Sequence, residues 1–250
     1  MDILNIDINL NLEIVFPSIY ELETLPFINN ILNNLNQFID NILSNVFNHI
    51  RSNKKRQRET LPTGNTPPNN NNNYRSIIFL SSNSLICKIL NWKQPNFPVF
   101  LIMSGIAFNT KLNKFVKRST NGLEIAPHVS QPHSQDNLLH SHSTSSSPSS
   151  ASLELDDLTT RSIKEAVNFT INNNLIGLIT SIHLLDLVPK LIPLIRSTGL
   201  ILVASSDVIN EDKDKQDDAI LRKELDCYTK TEINGLRFDD VLSFKEDISM

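Results

Sequence analysis

The feature of this 250-residue sequence that most constrains its fold is a regular alternation of short apolar runs with longer segments of helical periodicity. Runs such as VFLIM and LILVA are apolar throughout, which is typical of parallel strands that are buried on both faces. Between such runs, Asn34–His49 carries apolar residues at the i, i+3, i+4, i+7 spacing of an amphipathic helix. The alternation predicts an α/β fold built from βα units.

The alternation contains six strand-like and five helix-like segments. The predicted strands are Leu10–Phe16, Ser76–Leu80, Val99–Met103, Leu175–Thr180, Leu200–Ala204 and Asn234–Phe238. The predicted helices are Asn34–His49, Leu85–Trp92, Thr160–Asn172, Leu184–Ser197 and Ala219–Tyr228, with Gly199 at the C-terminal cap of the fourth. Six strands are fewer than the eight of a closed α/β barrel, so the sequence predicts a partial barrel or an open sheet.

Three segments lack apolar periodicity and are predicted to be insertions in surface loops. Residues 51–73 join a basic run to a Pro/Asn tract, residues 127–153 are rich in Ser and His, and residues 210–218 are densely charged. The second segment contains four of the six histidines, His128, His133, His140 and His142. Their spacing fits no zinc site, so a low-complexity tract is favoured over a metal cluster, and its serines could accept phosphate.

Composition excludes several classes of function. The chain has only 6 glycines and neither a G-x-x-x-x-G-K-[ST] nor a G-x-G-x-x-G motif, which argues against nucleotide-binding loops. A net charge of -4 gives no general attraction for nucleic acid. Cys87 and Cys227 are predicted to be reduced thiols of an intracellular protein, and no apolar stretch reaches the roughly 18 residues of a membrane span.

One stretch of the chain resembles a known family. Arg75–Gly105 reads RSIIFLSSNSLICKILNWKQPNFPVFLIMSG. It resembles fungal glycerophosphodiester phosphodiesterase (GP-PDE) domains, in which a strand ending in Ser-Ser-Phe leads to a helix, then to K-Q-P-x-[FY]-P-V and another strand. NLNLEIVFP upstream resembles the Glu-bearing strand of that family, and INGLRFDDVLSF stands where active members read close to G-V-D-G-I-I-T-D. The resemblance implies a partial TIM barrel, the C-terminal five or six βα units of one GP-PDE-like domain spanning residues 1–250.

The resemblance also implies a site and its chemistry. Active members of the family hold a divalent metal, Mg²⁺ or Ca²⁺, and use His-Arg, Glu-x-Asp and His-Asp motifs together with a Glu on the fourth strand. Glu13 matches that Glu as a metal ligand, whereas Val15 stands where the family prefers Lys and Asn83 where it has Phe. The His-Arg, Glu-x-Asp and His-Asp motifs are expected to lie before Met1, so no catalytic residue is assigned in this chain, and no cofactor is expected for it alone.

Other polar positions are candidates for the mouth of the barrel or for a surface patch. Ser81, Ser82 and Asp239 follow predicted strands and are expected to line the mouth. Asp240 could line it too, or could cap a final helix, and the cap is slightly favoured. The only dense basic patch comprises Lys54, Lys55, Arg56 and Arg58. This basic patch could be a nuclear-localisation or phosphate-binding signal, although a solvated loop is favoured.

The departures from the active pattern favour a non-catalytic function. With these departures, the chain resembles the degenerate GP-PDE-like domain of fungal cyclin-dependent-kinase inhibitors of the phosphate-starvation pathway. That resemblance implies a regulatory or interaction module in phosphate signalling, a cyclin/cyclin-dependent kinase complex as protein partner, and a cytoplasmic or nuclear location. The alternative is a truncated part of an active metal-dependent phosphodiesterase of glycerophosphodiester and lipid metabolism. A weaker alternative is a non-functional remnant of a split gene.

Overall fold

A seven-stranded sheet organises the chain. The computed structural model describes residues 10–17, 35–60, 76–109, 112–118, 158–205, 232–238 and 241–244. The described strands are β1 (Leu10–Glu13), β2 (Ile77–Ser81), β3 (Val99–Ile102), β4 (Ile106–Asn109), β5 (Lys114–Lys117), β6 (Gly177–Ser181), β7 (Ile201–Ser205), β8 (Gly235–Phe238) and β9 (Val241–Phe244). The described helices are α1 (Leu35–Thr60), α2 (Ser84–Lys93), α3 (Leu158–Arg161), α4 (Ile163–Asn172), α5 (Ile182–Leu187) and α6 (Leu191–Arg196).

The large sheet has the strand order β1-β2-β3-β6-β7-β8-β9. The first six strands are parallel, whereas β9 runs antiparallel to β8. These six parallel strands curl into a half-barrel, which is compatible with the predicted partial barrel. The prediction of an α/β fold with six core strands is confirmed, and each predicted strand is present with its bounds shifted by a few residues.

The two faces of the sheet are covered by different apolar clusters, as the alternation of side chains along a strand requires. The outer face packs against the helices, and its cluster includes Phe79, Leu101, Leu178 and Leu202. The inner, concave face is filled by a smaller cluster of Ile78, Leu80, Phe100, Ile102, Ile179 and Val203. The interior of the half-barrel is therefore packed with side chains rather than left as a channel.

Helix α1 extends further than the periodicity predicted. It continues from His49 to Thr60, so residues 51–60 of the first predicted insertion are helical rather than looped. The residues KKRQRE are good helix formers, and Pro62 disfavours helical backbone at the residue before it, which accounts for the end of the helix. Residues 61–73, 127–153 and 210–218 lie outside the described residues.

Two predicted helices are each divided in the structure. The segment Thr160–Asn172 forms α3 and α4, because Ser162 starts a new helix by accepting the Glu165 N–H on its Oγ at 3.5 Å. The segment Leu184–Ser197 forms α5 and α6, which Pro189 separates because it cannot donate a helical hydrogen bond. The C-cap of α6 is Ser197 rather than the predicted Gly199, which lies two residues further on with a left-handed φ of 83°.

Two hairpins were not predicted. Strands β4 and β5 form a separate two-stranded sheet after β3. Strand β9 pairs with β8 where a final helix capped by Asp240 was favoured, so that expectation is wrong. Within the described part of the chain, none of the helices has the length and apolarity needed to cross a membrane.

We predict that Gly177→Ala destabilises the fold by about 1–3 kcal/mol, the usual range for overpacking a core. A Cβ at Gly177 would overlap the carbonyl oxygen of Ile201 and lie 2.6 Å from the Phe100 ring. The free energy of unfolding in urea measures the effect. Gly199→Asn is the control, because the space around Gly199 is open and Asn tolerates its left-handed backbone. Equal losses in the two variants would contradict the prediction.

Candidate functional site

An ion pair joins the first and last parallel strands across the open side of the half-barrel. Arg237 of β8 donates from Nη2 to Oε2 of Glu13, at the carboxyl end of β1, over 2.5 Å. Five strand intervals separate β1 from β8, which in a flat sheet would place them about 24 Å apart. That distance exceeds the combined reach of the two side chains. The contact therefore depends on the curl of the sheet.

The register of the ion pair also matches a tilted, barrel-like arrangement. Following the ladders from Glu13 through Leu80, Phe100 and Gly177 to Ile201, and continuing their register, leads to Ile233 on the line of β8. The partner of Glu13 is instead Arg237, four residues further on. In an eight-stranded α/β barrel, residues at the same height along the barrel axis are offset from the hydrogen-bonded register by about one residue for each strand interval. The observed offset is close to that value.

The ion pair is only partly exposed to solvent. The side chain of Arg237 is 11% exposed and that of Glu13 is 31% exposed. A guanidinium this deeply buried needs a counter-charge, since an unpaired buried charge is strongly unfavourable. Glu13 supplies it. The pair therefore has a structural role that is independent of any ligand.

Arg237 belongs to a polar row above the apolar interior. The register aligns Ser181, Ser205 and Arg237 on adjacent strands. Each follows by two residues a position of the register that joins Ile179, Val203 and Gly235, of which Ile179 and Val203 belong to the apolar interior. Ser181 is 3% exposed, and its Oγ has no hydrogen-bond partner. The carboxyl ends of the strands thus place hydroxyl groups and one ion pair at the mouth of the half-barrel, which is where ligands bind in α/β folds.

This mouth does not form a metal centre from the residues described. No group of three or more His, Cys, Asp or Glu side chains capable of holding a metal ion occurs in the described ranges. Glu13, the residue assigned as a metal ligand, has its carboxylate paired with a cation of the protein itself. A hard divalent cation takes several oxygen ligands, so Glu13 needs further carboxylates to bind one.

The serines expected at the mouth have different positions. Ser81 is fully buried on the outer face of β2, where its Oγ donates to the carbonyl oxygen of Ile14 at 2.7 Å. That hydrogen bond ties the end of β1 to the end of β2. Ser82 is 4% exposed at the carboxyl end of β2, and Asp239 lies outside the described residues.

Asn83, which departs from the family pattern, caps a helix. Its Oδ1 accepts the N–H groups of Leu85 at 3.0 Å and Ile86 at 3.3 Å, at the start of α2. A phenylalanine could not make these hydrogen bonds. The departure at this position therefore has a local structural explanation.

The remaining candidates lie on helices rather than on the strands of the ion pair. The basic patch lies on the last turns of α1, where the Lys55 side chain is exposed and those of Lys54, Arg56 and Arg58 are not described. The patch is helical, although a loop was favoured for it. His49 is exposed on α1, and His183 stacks on Phe108 of the β4–β5 hairpin with ring centroids 5.1 Å apart.

Sequence reasoning missed Arg237, the partner of Glu13 in this ion pair. A signal was present, because a carboxylate within a buried strand predicts a cation near it. Arg237 is the only basic residue in the predicted strand Asn234–Phe238. Nothing local, however, pairs it with a residue 224 positions away.

Comparison with known proteins relates the chain to two fungal proteins. Over 194 residues, 78% of the chain, it is 31% identical to the phosphate system positive regulatory protein PHO81 of Saccharomyces cerevisiae. Over 171 residues, 68% of the chain, it is 34% identical to the ankyrin repeat protein nuc-2 of Neurospora crassa. The matched stretch covers 14% of the length of each relative. No protein-family model and no solved structure matches the chain.

We predict a favourable coupling energy of about 1–2 kcal/mol between Glu13 and Arg237, within the usual range for residues in direct contact. The changes are Glu13→Gln, Arg237→Gln and the double variant, and the free energy of unfolding in urea is measured for each. The partial burial of both side chains keeps their attraction from being fully screened by water and salt.

The matched control is the ion pair of Arg196 and Glu232. Its atoms are 3.6 Å apart, and its side chains are 40% and 69% exposed. The same double-variant cycle at this pair should give less than about 0.5 kcal/mol, as for most exposed ion pairs. A coupling at Glu13 and Arg237 no larger than the control would show that the pair across the mouth adds nothing to stability.

We predict that Cys87 is unreactive in the folded chain. It is fully buried beneath β2 and β3, and burial raises its pKa from 9.0 to about 12. In a Cys227→Ser background, alkylation at about pH 8 should be at least about 100-fold slower for the folded than for the unfolded chain. Because the folded state holds the proton more tightly, stability should fall as the pH rises from about 9 towards about 12. Equal alkylation rates would contradict the burial.

Proposed function

We propose that the chain is part of a GP-PDE-like domain that no longer hydrolyses phosphodiesters and acts as a regulatory module in phosphate signalling. The similarity to PHO81, a phosphate system positive regulatory protein, supports the signalling role. The curled sheet of six parallel strands is compatible with the TIM barrel that the resemblance implies. Because the chain covers 14% of each relative, the role of the whole protein is part of this proposal.

The observation that carries the loss of catalysis is the ion pair of Glu13 with Arg237. Glu13 is the position that the resemblance assigns as a metal ligand, and in this chain it neutralises a largely buried guanidinium. If Gly235 is aligned with the second glycine of G-V-D-G-I-I-T-D, Arg237 replaces an isoleucine of the active pattern. A fixed internal cation thus takes the place of the exchangeable one. A guanidinium has no open coordination position with which to polarise a phosphoryl oxygen or activate water.

The proposal includes a protein partner. A cyclin/cyclin-dependent kinase complex is the partner that the resemblance implies. The resemblance also implies that the protein is located in the cytoplasm, the nucleus or both. No cofactor is part of this function. The exposed Lys55 on α1 is compatible with a role for the basic patch in localisation, because a patch read by another protein must be accessible.

A hydrolysis assay on the full-length protein tests the proposal. The substrate is glycerophosphocholine with added Mg²⁺ or Ca²⁺, and the product measured is free choline. We expect the wild-type protein to release no more choline than the Glu13→Ala variant does. Glu232→Ala is the matched control, because that carboxylate lies outside the mouth and is paired with Arg196.

The alternative function, a metal-dependent phosphodiesterase, predicts the opposite result. Metal-dependent release of choline that Glu13→Ala abolishes and Glu232→Ala preserves would overturn the non-catalytic proposal. If thermal unfolding shows that the Glu13→Ala protein is folded, that result would also assign Glu13 as a metal ligand, despite its ion pair with Arg237.

A further inference from the structure

Two elements far apart in sequence meet at the backbone of Gly105. This buried glycine follows β3, and a Cβ at its position would lie 2.6 Å from Oγ1 of Thr160 and 2.7 Å from Cγ of Arg161. Helix α3 therefore lies directly against the end of β3. Glycine is required here because any side chain would separate the two elements.

Arg118 is also a neighbour of Gly105. Its backbone N–H donates to the carbonyl oxygen of Gly105 at 2.9 Å, at the end of the β4–β5 hairpin. Residues paired across antiparallel strands have Cα atoms about 5 Å apart. Arg118 and Arg161 are thus both immediate neighbours of Gly105, one from the hairpin and one from α3.

This junction contains buried donors that lack a hydrogen-bond partner. Nε of Arg118 and Oγ1 of Thr159 are both buried and unpartnered. A polar group that is removed from water without a hydrogen bond is unfavourable, so such donors indicate a missing acceptor. Two arginines and a hydroxyl group provide donors suited to an anion with several oxygens.

The charge of the hairpin favours the same kind of ligand. The stretch from Gly105 to Arg118 contains four basic residues, Lys111, Lys114, Lys117 and Arg118, and no acidic one. Lys114 and Lys117 are exposed on β5. An anion that approaches the junction therefore meets a locally positive surface, although the chain as a whole has a net charge of -4.

We propose that Arg118, Arg161 and Thr159 form a binding site for a phosphoryl group. A dianionic phosphoryl group offers three oxygens, enough for both guanidinium groups and the hydroxyl. The group has two possible sources, a free phosphate compound or a phosphorylated serine of the Ser-rich tract at residues 127–153, which connects Arg118 to α3 in sequence. The site uses residues other than Glu13 and Arg237 and does not rest on the proposed loss of catalysis.

Titration of the full 250-residue chain with inorganic phosphate tests the site itself. Isothermal titration calorimetry should detect binding, and Arg118→Gln and Thr159→Val should each weaken it, Arg118→Gln by at least about tenfold. Arg196→Gln is the matched control, because this arginine pairs with Glu232 and should leave the affinity unchanged. Thermal unfolding of each variant shows whether it remains folded.

A second measurement distinguishes the two sources. Phosphoserine is incorporated genetically at Ser147, and its ³¹P resonance is recorded in the wild-type and Arg118→Gln backgrounds. A resonance that depends on Arg118, together with weaker binding of added phosphate, assigns the site to the tract of the chain. A resonance that is independent of Arg118, with phosphate binding retained, assigns it to a free compound.

One outcome overturns the proposal. If folded wild-type protein binds inorganic phosphate no better than Arg118→Gln does, and the phosphoserine resonance is the same in both, no phosphoryl site exists at this junction. The carboxylates of Asp156 and Asp157, which precede α3 in sequence, would then be the acceptors to examine as partners of Arg118.

Discussion

A parallel sheet must have both of its faces covered, and the rest of this structure follows from how that requirement is met. The helices cover the outer face, so the inner face can be buried only by curling the sheet until its own side chains meet. The cluster around Phe100 and Ile179 is the result of that curl. Gly177 allows the Phe100 ring to lie against the neighbouring strand. The curl also brings the carboxyl ends of β1 and β8 close enough for one ion pair.

The same curl determines what the mouth can do. In an open sheet Glu13 would be a solvated carboxylate at the end of an edge strand. In the half-barrel it shares a partly buried position with Arg237, whose row of polar residues includes the unpartnered Ser181. The charges of Glu13 and Arg237 therefore neutralise each other without a ligand. Under the proposed function, this internal pairing stands in place of the exchangeable cation that metal-dependent hydrolysis requires.

Much of the fold could be predicted from the sequence because buried parallel strands are locally apolar. Runs such as Val99–Ile102 and Ile201–Ser205 identify themselves without tertiary information. The hairpins were missed because β4, β5 and β9 mix polar and apolar residues and depend on pairing rather than on local pattern. The end of α1 was missed because its last turns lack an apolar face, although their helix propensity is high.

The residues of the candidate site likewise differ in whether a local sequence pattern identifies them. Glu13 was identified because it interrupts an apolar strand, and the resemblance to a family gave it a role. Its partner depends on the closure of the sheet, which no local pattern encodes. The junction at Gly105 is similar, since Arg118 and Arg161 are far apart in sequence and are both neighbours of a glycine that lets α3 approach the end of β3. Neither guanidinium carries a motif that marks it.

Strand β9 limits where a further strand can join the parallel part of the sheet. Because β9 pairs antiparallel with β8, the edge of β8 that a closing barrel would use for a parallel neighbour is already occupied. Among the described strands, β1 has a neighbour on one side only. An additional strand, whether from a longer form of this protein or from another molecule, can join the parallel ladder beside β1 but not beside β8 unless β9 is displaced. Among the described strands, the parallel ladder thus ends at β8, where β9 takes over with antiparallel pairing, and stays open to a further strand beside β1.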